Sequence, residues 1–293
     1  MLLDKHREII KSLLRVEEHP ESGRILSPST GGVETTLIAY MLCKYYEDNP
    51  NMELFFYTAN LFEPPVELHD RMEDEYNPYM NALEGSTILY RIREKTKKQF
   101  SHMVRYFTQD EVEEMRVATN KRLPFHTVKD FDVPYATDLI AQLGIDVWYT
   151  GRNKAYAPEE IKSNVNYLKK DEEYIDGTSA NPFHDMSIPF VDYKDDHTII
   201  RPFVPLQKHE IIKIYEDLDI MDLFYRTVSC PHINPGIGCH GQCQYMLGLP
   251  NKEWKNNCLE RLTAETKYGT TKKMTHDEFT EKDNIQPNWQ TNE

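Results

Sequence analysis

The chain has 293 residues, of which 39% are hydrophobic and 28% charged, and its formal net charge is −14. This length and apolar content are enough to bury a core, so we expect a globular protein. The negative charge argues against nucleic acid as a direct substrate and favours a small molecule. Since no apolar stretch approaches the ~20 residues that span a bilayer and the N-terminus lacks a signal-peptide core, we expect a cytoplasmic protein without a membrane partner.

The first sixty residues predict the start of an α/β domain. An amphipathic helix is expected within residues 1–18, and a short strand at residues 24–27. A glycine-containing loop separates this strand from an apolar helix at residues 35–46, and residues 53–58 are typical of a buried strand. The order strand, loop, helix, strand favours a parallel sheet.

The alternation is weaker in the middle of the chain. The charged segment at residues 64–124 is predicted to be largely helical. A helix that stops at Gly144 is followed by a strand at residues 145–151, and residues 198–203 and 208–217 indicate a further strand and helix. We predict a Rossmann-like α/β fold, with a mainly parallel sheet covered by helices on both faces.

The loop after the first strand reads Ser29-Thr30-Gly31-Gly32-Val33-Glu34-Thr35-Thr36. Glycines between a strand and a helix allow backbone amides to approach an anion, and the helix N-terminus adds unpaired N–H groups. The flanking hydroxyls can donate further hydrogen bonds to phosphate oxygens. No lysine follows the second glycine, so this is not a Walker P-loop. By itself the segment supports two interpretations equally: a phosphate site, and a turn in which Thr30 or Thr35 caps the helix.

The cysteines predict a second site. Three of the five, Cys230, Cys239 and Cys243, lie within fourteen residues and are interleaved with histidines. Thiolates and imidazoles in a glycine-rich loop are the ligands of tetrahedral zinc, which favours a Zn²⁺ site over buried or free thiols. Three ligands are clear, and the fourth is open among His240, His232 and Cys258.

The two features together resemble the PP-loop ATP pyrophosphatases, whose motif reads SGGxDS, and within them the 7-cyano-7-deazaguanine synthases. The matching residues here are Thr30-Gly31-Gly32-Val33-Glu34-Thr35, the segment Pro205-Leu206-Gln207-Lys208-His209-Glu210-Ile211-Ile212, and Arg226-Thr227-Val228-Ser229-Cys230. Glu34 stands where the family has aspartate, and Met246 stands at the last cysteine of the zinc motif, with one residue inserted before it. The resemblance covers roughly residues 24–250.

The resemblance implies a fold of the adenine nucleotide α-hydrolase type and an ATP-dependent carbon–nitrogen ligase of queuosine biosynthesis. Such an enzyme converts a 7-carboxy-7-deazaguanine-like carboxylate to 7-cyano-7-deazaguanine with ammonia, through an adenylated intermediate. ATP, Mg²⁺ and Zn²⁺ are the implied cofactors, and a homodimer is left open. The implied divisions are residues 1–205 as the nucleotide-binding domain, 206–268 as a helical region with the zinc loop, and 269–293 as a polar tail.

The resemblance also implies roles for individual residues. Glu34 would hold magnesium, and Lys208 and Arg152 would neutralise charge at the reacting phosphates. The implied pyrophosphate ligands are Ser29, Thr30, Gly31, Gly32 and Thr35, with Cys230, Cys239, Cys243 and His240 binding zinc. Two alternatives remain open: a protein that binds ATP without turnover, and a PP-loop enzyme that thiolates tRNA, which the charge of −14 disfavours.

Overall fold

The structure, a computed structural model, describes residues 4–61, 80–108, 110–111, 114, 128–154, 189–227, 264 and 267–269. The helices are α1 (Asp4–Leu14), α2 (Val33–Tyr45), α3 (Met80–Thr96), α4 (Val128–Leu143), α5 (Lys208–Asp217) and α6 (Met221–Phe224), with a 3-10 turn at Val16–Glu18. The strands are β1 (Gly23–Pro28), β2 (Met52–Leu61), β3 (Ser101–Phe107), β4 (Val147–Tyr149), β5 (Asn153–Lys154), β6 (Val191–Tyr193), β7 (Thr198–Ile200) and β8 (Phe203–Gln207).

Six strands form the main sheet in the order β3-β2-β1-β4-β7-β6. All neighbouring pairs are parallel except β6 and β7, which are antiparallel, and β5 pairs with β8 in a separate two-stranded sheet. The chain runs outward from β1 through β2 to β3 and then returns to β4 on the other side of β1. The strand order therefore reverses between β1 and β4, and ligands of open α/β sheets bind at the carboxyl ends of the strands at such a switch point.

Helices cover both faces of this sheet. On one face, α1, α2, α3, α5 and α6 share a hydrophobic core with Ile25 of β1 and Phe56 of β2. On the other face, α4 packs its Ala136 and Ile140 against Leu26 of β1. Ile25 and Leu26 are adjacent and point into different cores because successive side chains of a strand face opposite sides of the sheet. The predicted Rossmann-like α/β fold is confirmed.

The predicted middle segment needs one correction. Residues 101–107 lie within the stretch expected to be largely helical, but they form the parallel edge strand β3, which pairs with β2 from Phe55↔Ser101 to Leu61↔Phe107. Three of the seven residues of β3, Ser101, His102 and Arg105, are polar or charged, and they do not alternate with the apolar ones, so the pattern that identifies strands is lost in this edge strand. Residues 80–96 of the same stretch are helical, as predicted.

The helix α4 begins before the predicted start at Pro134, which lies inside it, and Gly144 ends it with a φ of 59°. The zinc residues Cys230, Cys239, Cys243 and His240, the alternatives His232 and Cys258, and the polar tail from residue 270 lie outside the described residues. The division of the chain at residues 205 and 206 stays a prediction. In the part of the chain that is described, no helix combines the length and apolar character needed to cross a bilayer.

Candidate functional site at the switch point

The glycine loop lies at the switch point of the sheet. It connects β1 to α2 and is therefore at the carboxyl end of the strand that neighbours both β2 and β4. Gly31 has a φ of 74°, a left-handed conformation that favours glycine, and Gly32 is the N-cap residue of α2. The amides of the first helical turn have no acceptor inside a helix, so they are available at the end of the loop.

The hydroxyls of the loop are bonded to one another. Thr35 Oγ1 donates to the Gly32 carbonyl at 3.3 Å, which leaves Thr30 Oγ1 as the donor in its own 3.3 Å contact with Thr35 Oγ1. A Cβ atom added to Gly32 would lie 3.3 Å from Thr30 Oγ1. The second glycine therefore keeps the space beside these hydroxyls open. Gly32 is the N-cap residue and no side-chain hydrogen bond from the described residues caps α2, so the threonine cap that was the alternative interpretation of this loop is not observed.

Helix α5 brings a lysine to the first turn of α2. Lys208 Nζ lies 3.2 Å from Glu34 Oε1, and the two side chains are 8% and 14% exposed. Glu34 Oε1 is buried and makes no aligned hydrogen bond to the described residues, so this contact is an ion pair held by charge rather than by a directed bond. The sequence analysis placed both residues in the site, and the structure brings them together.

Two backbone features hold Lys208 in this place. The Glu210 carboxylate accepts a 2.8 Å hydrogen bond from the Gln207 amide, which is the capping-box contact that starts α5 at Lys208. About two turns after Lys208 on α5, Tyr215 donates from its hydroxyl to the Val33 carbonyl at 2.5 Å. Helix α5 is therefore attached directly to the N-terminal turn of α2.

The loop after β4 closes the other side of the site. A Cβ atom on Gly151 would lie 3.0 Å from Glu34 Cβ and 3.2 Å from Thr35 Cγ2, so the backbone of residue 151 rests directly on the first turn of α2. Arg152 is the next residue in this loop and is partly exposed. The structure thus brings the loop that carries Arg152 to the predicted site.

Sequence analysis missed a group of residues behind the loop. Thr58 of β2 donates from its hydroxyl to the Ser29 carbonyl, and His102 of β3 bonds to Thr58 Oγ1 at 2.9 Å. Burial lowers the pKa of His102 to about 4. Gly85 of α3 lies against the same carbonyl. A glycine inside a helix costs about 1 kcal/mol relative to alanine, so Gly85 was a sequence signal of close packing.

The described residues contain no group of three or more His, Cys, Asp or Glu side chains that could hold a metal ion by themselves. The fit of magnesium therefore depends on Glu34. Its buried, incompletely bonded carboxylate oxygen is the hard donor that Mg²⁺ uses when substrate phosphates supply further ligands.

No protein-family model and no curated protein matches the sequence. Solved structures with a similar fold include an NMN synthetase from Francisella tularensis, with 12% identity, 91% of this chain and 92% of that chain covered, and a TM-score of 0.46. An NH3-dependent NAD synthetase from Campylobacter jejuni in complex with nitrate has 12% identity, 76% coverage of each chain and a TM-score of 0.40.

A U34-tRNA thiolase from Methanococcus maripaludis with a [4Fe-4S] cluster has 12% identity and a TM-score of 0.43. The match covers 73% of this chain and 63% of the thiolase, which is less than two thirds of that protein. At these identities and TM-scores, none of these structures assigns a function to this chain.

Proposed function

We propose that this protein is an ATP-dependent ligase that binds the phosphates of ATP at the Gly31-Gly32 loop and activates a carboxylate for attack by ammonia. The observation that carries the proposal is the convergence at the switch point of a left-handed glycine loop, the N-terminus of α2 and the buried pair of Glu34 and Lys208. This arrangement provides backbone amides, hydroxyls, a carboxylate and a cation at one end of the sheet. These are the groups that bind a triphosphate.

The proposed chemistry balances in two activations. The substrate carboxylate attacks the α-phosphorus of ATP and pyrophosphate leaves; ammonia then attacks the acyl carbon, AMP leaves, and an amide and a proton are formed. For a nitrile product, the amide oxygen attacks the α-phosphorus of a second ATP, pyrophosphate leaves again, and loss of AMP and a proton forms the carbon–nitrogen triple bond. The substrate class proposed from the family resemblance is 7-carboxy-7-deazaguanine.

Each group of the site has a proposed part in these steps. Backbone amides and the hydroxyls of Ser29, Thr30 and Thr35 bind the leaving pyrophosphate. Lys208, which is buried beside Glu34, neutralises the charge that develops on the phosphates, and Arg152 is proposed for the same role from the β4 loop. Glu34 is the residue that would hold Mg²⁺, which when bound supplies further neutralisation of phosphate charge.

The test is a reaction with ATP, MgCl₂, ¹⁵N-ammonium chloride and 7-carboxy-7-deazaguanine, followed by mass spectrometry of nucleotides and deazapurines. We expect AMP, pyrophosphate and a nitrile that is one mass unit heavier than the product from ordinary ammonium. Glu34→Gln should abolish the product, whereas Gly144→Ala, which changes a left-handed glycine outside the site, should not.

The other outcomes assign the alternatives. AMP with an amide but no nitrile would support carboxylate activation and overturn the second step. AMP that forms only with other carboxylates would overturn the deazaguanine assignment. Tight ATP binding without AMP would replace the ligase with a nucleotide-binding protein, and absence of ATP binding would reject the site itself.

The zinc site is proposed separately, from Cys230, Cys239, Cys243 and His240 in the sequence. Protein purified without chelator should contain one zinc per chain by elemental analysis. Cys239→Ser should lose that zinc, whereas Cys43→Ser should keep it, because Cys43 is a fully buried residue of α2. Zinc content equal in both variants would reject this ligand set.

A further inference from the structure

The carbonyl of Ser29 is contacted by two elements behind the glycine loop, β2 and α3, and a third, β3, acts on it through β2. Thr58 of β2 donates to it, and Gly85 of α3 lies so close that a Cβ atom there would be 2.6 Å from the oxygen. Thr58 is fully buried and Ser29 is 4% exposed. His102 of β3 reaches the same oxygen indirectly, because its Nε2 atom lies 2.9 Å from Thr58 Oγ1.

The directions of these hydrogen bonds follow from the number of protons. A threonine hydroxyl has one proton, and here it is donated to Ser29 O. Thr58 Oγ1 must therefore accept from His102, so the imidazole carries its proton on Nε2. The other ring nitrogen, Nδ1, is then an acceptor and lies 3.4 Å from the hydroxyl of Ser86 on α3. The neutral imidazole therefore satisfies both of its partners, as the donor to Thr58 and the acceptor from Ser86.

The orientation of this carbonyl also fixes an amide of the loop. The peptide between Ser29 and Thr30 is planar and trans, so its C=O and N–H bonds point in opposite directions. Because Thr58 holds the oxygen toward β2 and α3, the N–H of Thr30 is directed away from them. The Ser29 amide itself is used inside the sheet, where it donates to Tyr57 O at 2.7 Å, so Thr30 has the first amide of the loop after the strand.

We propose that His102 and Thr58 are positioning residues that orient the Ser29–Thr30 peptide so that the Thr30 amide binds a phosphate oxygen of the nucleotide. The ligand in this inference rests on the proposed function, whereas the hydrogen-bonded chain from His102 to Ser29 does not. Neither side chain contacts the phosphates. They fix the orientation of the loop peptide before an anion binds, so that binding does not have to restrict its rotation at an entropic cost.

Burial of His102 lowers its pKa to about 4, so the neutral ring persists at neutral pH, as the hydrogen-bond directions require. Gly85 restricts the same Ser29 carbonyl from α3, whereas Thr58 holds it from β2. Any side chain at residue 85 would push against a backbone oxygen, which cannot move without rotating the peptide that Thr58 holds.

The first experiment measures equilibrium binding of ATP, inorganic pyrophosphate and adenosine to Thr58→Val and Thr58→Ser. Loss of one oriented hydrogen bond should weaken ATP and pyrophosphate binding about tenfold in Thr58→Val and leave adenosine unchanged. Thr58→Ser keeps the hydroxyl and should restore most of the affinity. The control is Thr96→Val, which removes a buried hydroxyl that donates to Ile92 O at 2.9 Å on the far end of α3 and should change none of the three affinities.

The second pair tests the histidine. His102→Gln retains an N–H near the Nε2 position and should bind ATP nearly as well as the wild type, whereas His102→Leu should resemble Thr58→Val. Thermal melting confirms that each variant is folded at the assay temperature. Equal loss of ATP and adenosine in Thr58→Val, or full ATP affinity in both Thr58→Val and His102→Leu, would overturn the proposal.

A spectroscopic measurement separates this proposal from the proposed function. In ¹⁵N-labelled protein without ligand, the His102 ring, assigned by its absence in His102→Gln, should show a neutral Nε2–H tautomer at pH 7. The tautomer should become mixed in Thr58→Val. The wild type could bind neither ATP nor pyrophosphate while the tautomer still becomes mixed in Thr58→Val. In that case the proposed function fails, and the hydrogen-bonded chain from His102 to Ser29 stands without that ligand. A mixed tautomer of His102 in the wild type rejects the hydrogen-bonded chain from His102 to Ser29 even if ATP binds.

Discussion

Lys208 and Glu34 are 174 positions apart in the sequence, yet Lys208 Nζ lies 3.2 Å from Glu34 Oε1 at the N-terminal turn of α2. Both side chains are largely buried, so water cannot solvate either charge if the other one is removed. In the proposed function, phosphates and magnesium share these two groups. The pair therefore keeps a carboxylate and a cation in place beside the loop before the nucleotide binds.

Removal of one partner of this pair should destabilise the fold. Lys208→Met leaves the carboxylate of Glu34 buried without its cation, and breaking a buried ion pair in this way costs about 3–5 kcal/mol. The double variant Glu34→Gln/Lys208→Met should recover part of that loss because no charge remains unpaired. Urea unfolding of the two single variants and the double variant measures the coupling.

A matched control lies on the same helix. Lys213 forms an ion pair with Glu216 at 2.5 Å, but both side chains are 53% exposed. Lys213→Met should leave the unfolding midpoint almost unchanged, because solvent screens exposed pairs. Equal destabilisation by Lys208→Met and Lys213→Met would mean that burial does not set the strength of the Lys208 pair.

Local patterns were sufficient to predict the central elements of the fold. The strands β1 and β2 and the helix α2 between them are short apolar segments with recognisable ends, and the helix α5 from Lys208 to Asp217 is amphipathic. The edge strand β3 was missed because its exposed residues, Ser101, Val104 and Arg105, do not alternate with buried ones. Its parallel partner β2 is distant in the chain, so no hairpin signal marks it.

The same distinction applies to the site. The glycine loop is contiguous and its hydroxyls are visible in the sequence, and Lys208 was found through a resemblance of its segment. Thr58, His102 and Gly85 act on Ser29 only through the tertiary packing of β2, β3 and α3. Sequence spacing contains no information on such contacts, apart from the unusual glycine inside a helix.

The left-handed glycine of the loop gives a second prediction. Gly31 has a φ of 74°, and an alanine in this conformation costs about 1–2 kcal/mol of stability. Relaxation of the strain would turn the loop amides away from the anion, so Gly31→Ala should also weaken ATP binding in the same titration. Gly144→Ala is the control, because its φ is 59° and a Cβ there has only ordinary contacts. It should lose comparable stability and retain ATP affinity.

A third prediction concerns the contact between the β4 loop and α2. A methyl group on Gly151 would lie 3.0 Å from Glu34 Cβ, closer than packed carbon atoms normally approach. Overpacking of this kind costs about 1–3 kcal/mol, and here relief requires the first turn of α2 to move. Gly151→Ala should therefore lower both the melting temperature and the affinity for ATP. An unchanged melting temperature would show that the β4 loop is free to move away from the site.

The last prediction is a loss of stability on mild acidification, caused by His19. The Tyr149 hydroxyl donates to Leu14 O at 2.5 Å, so its oxygen accepts from His19 Nε2, also at 2.5 Å, and Nδ1 accepts from the Tyr46 hydroxyl. Burial lowers the pKa of His19 from 6.5 to about 4. Between these two values the unfolded chain binds a proton that the folded protein does not, so stability falls as the pH drops from 6.5 toward 4.

From pH 7 to pH 5 this single group should remove at most about 2 kcal/mol from the free energy of unfolding. Urea unfolding at the two pH values measures the loss in the wild type and in His19→Gln, which cannot titrate in this range but can still donate to Tyr149. The carboxylates and His102, whose pKa burial also lowers to about 4, titrate alike in both proteins, so the difference between their pH dependences isolates His19. A loss of the same size in His19→Gln would show that this histidine is not the group responsible, whereas a smaller loss assigns the acid sensitivity to the contact between the 3-10 turn, α2 and β4.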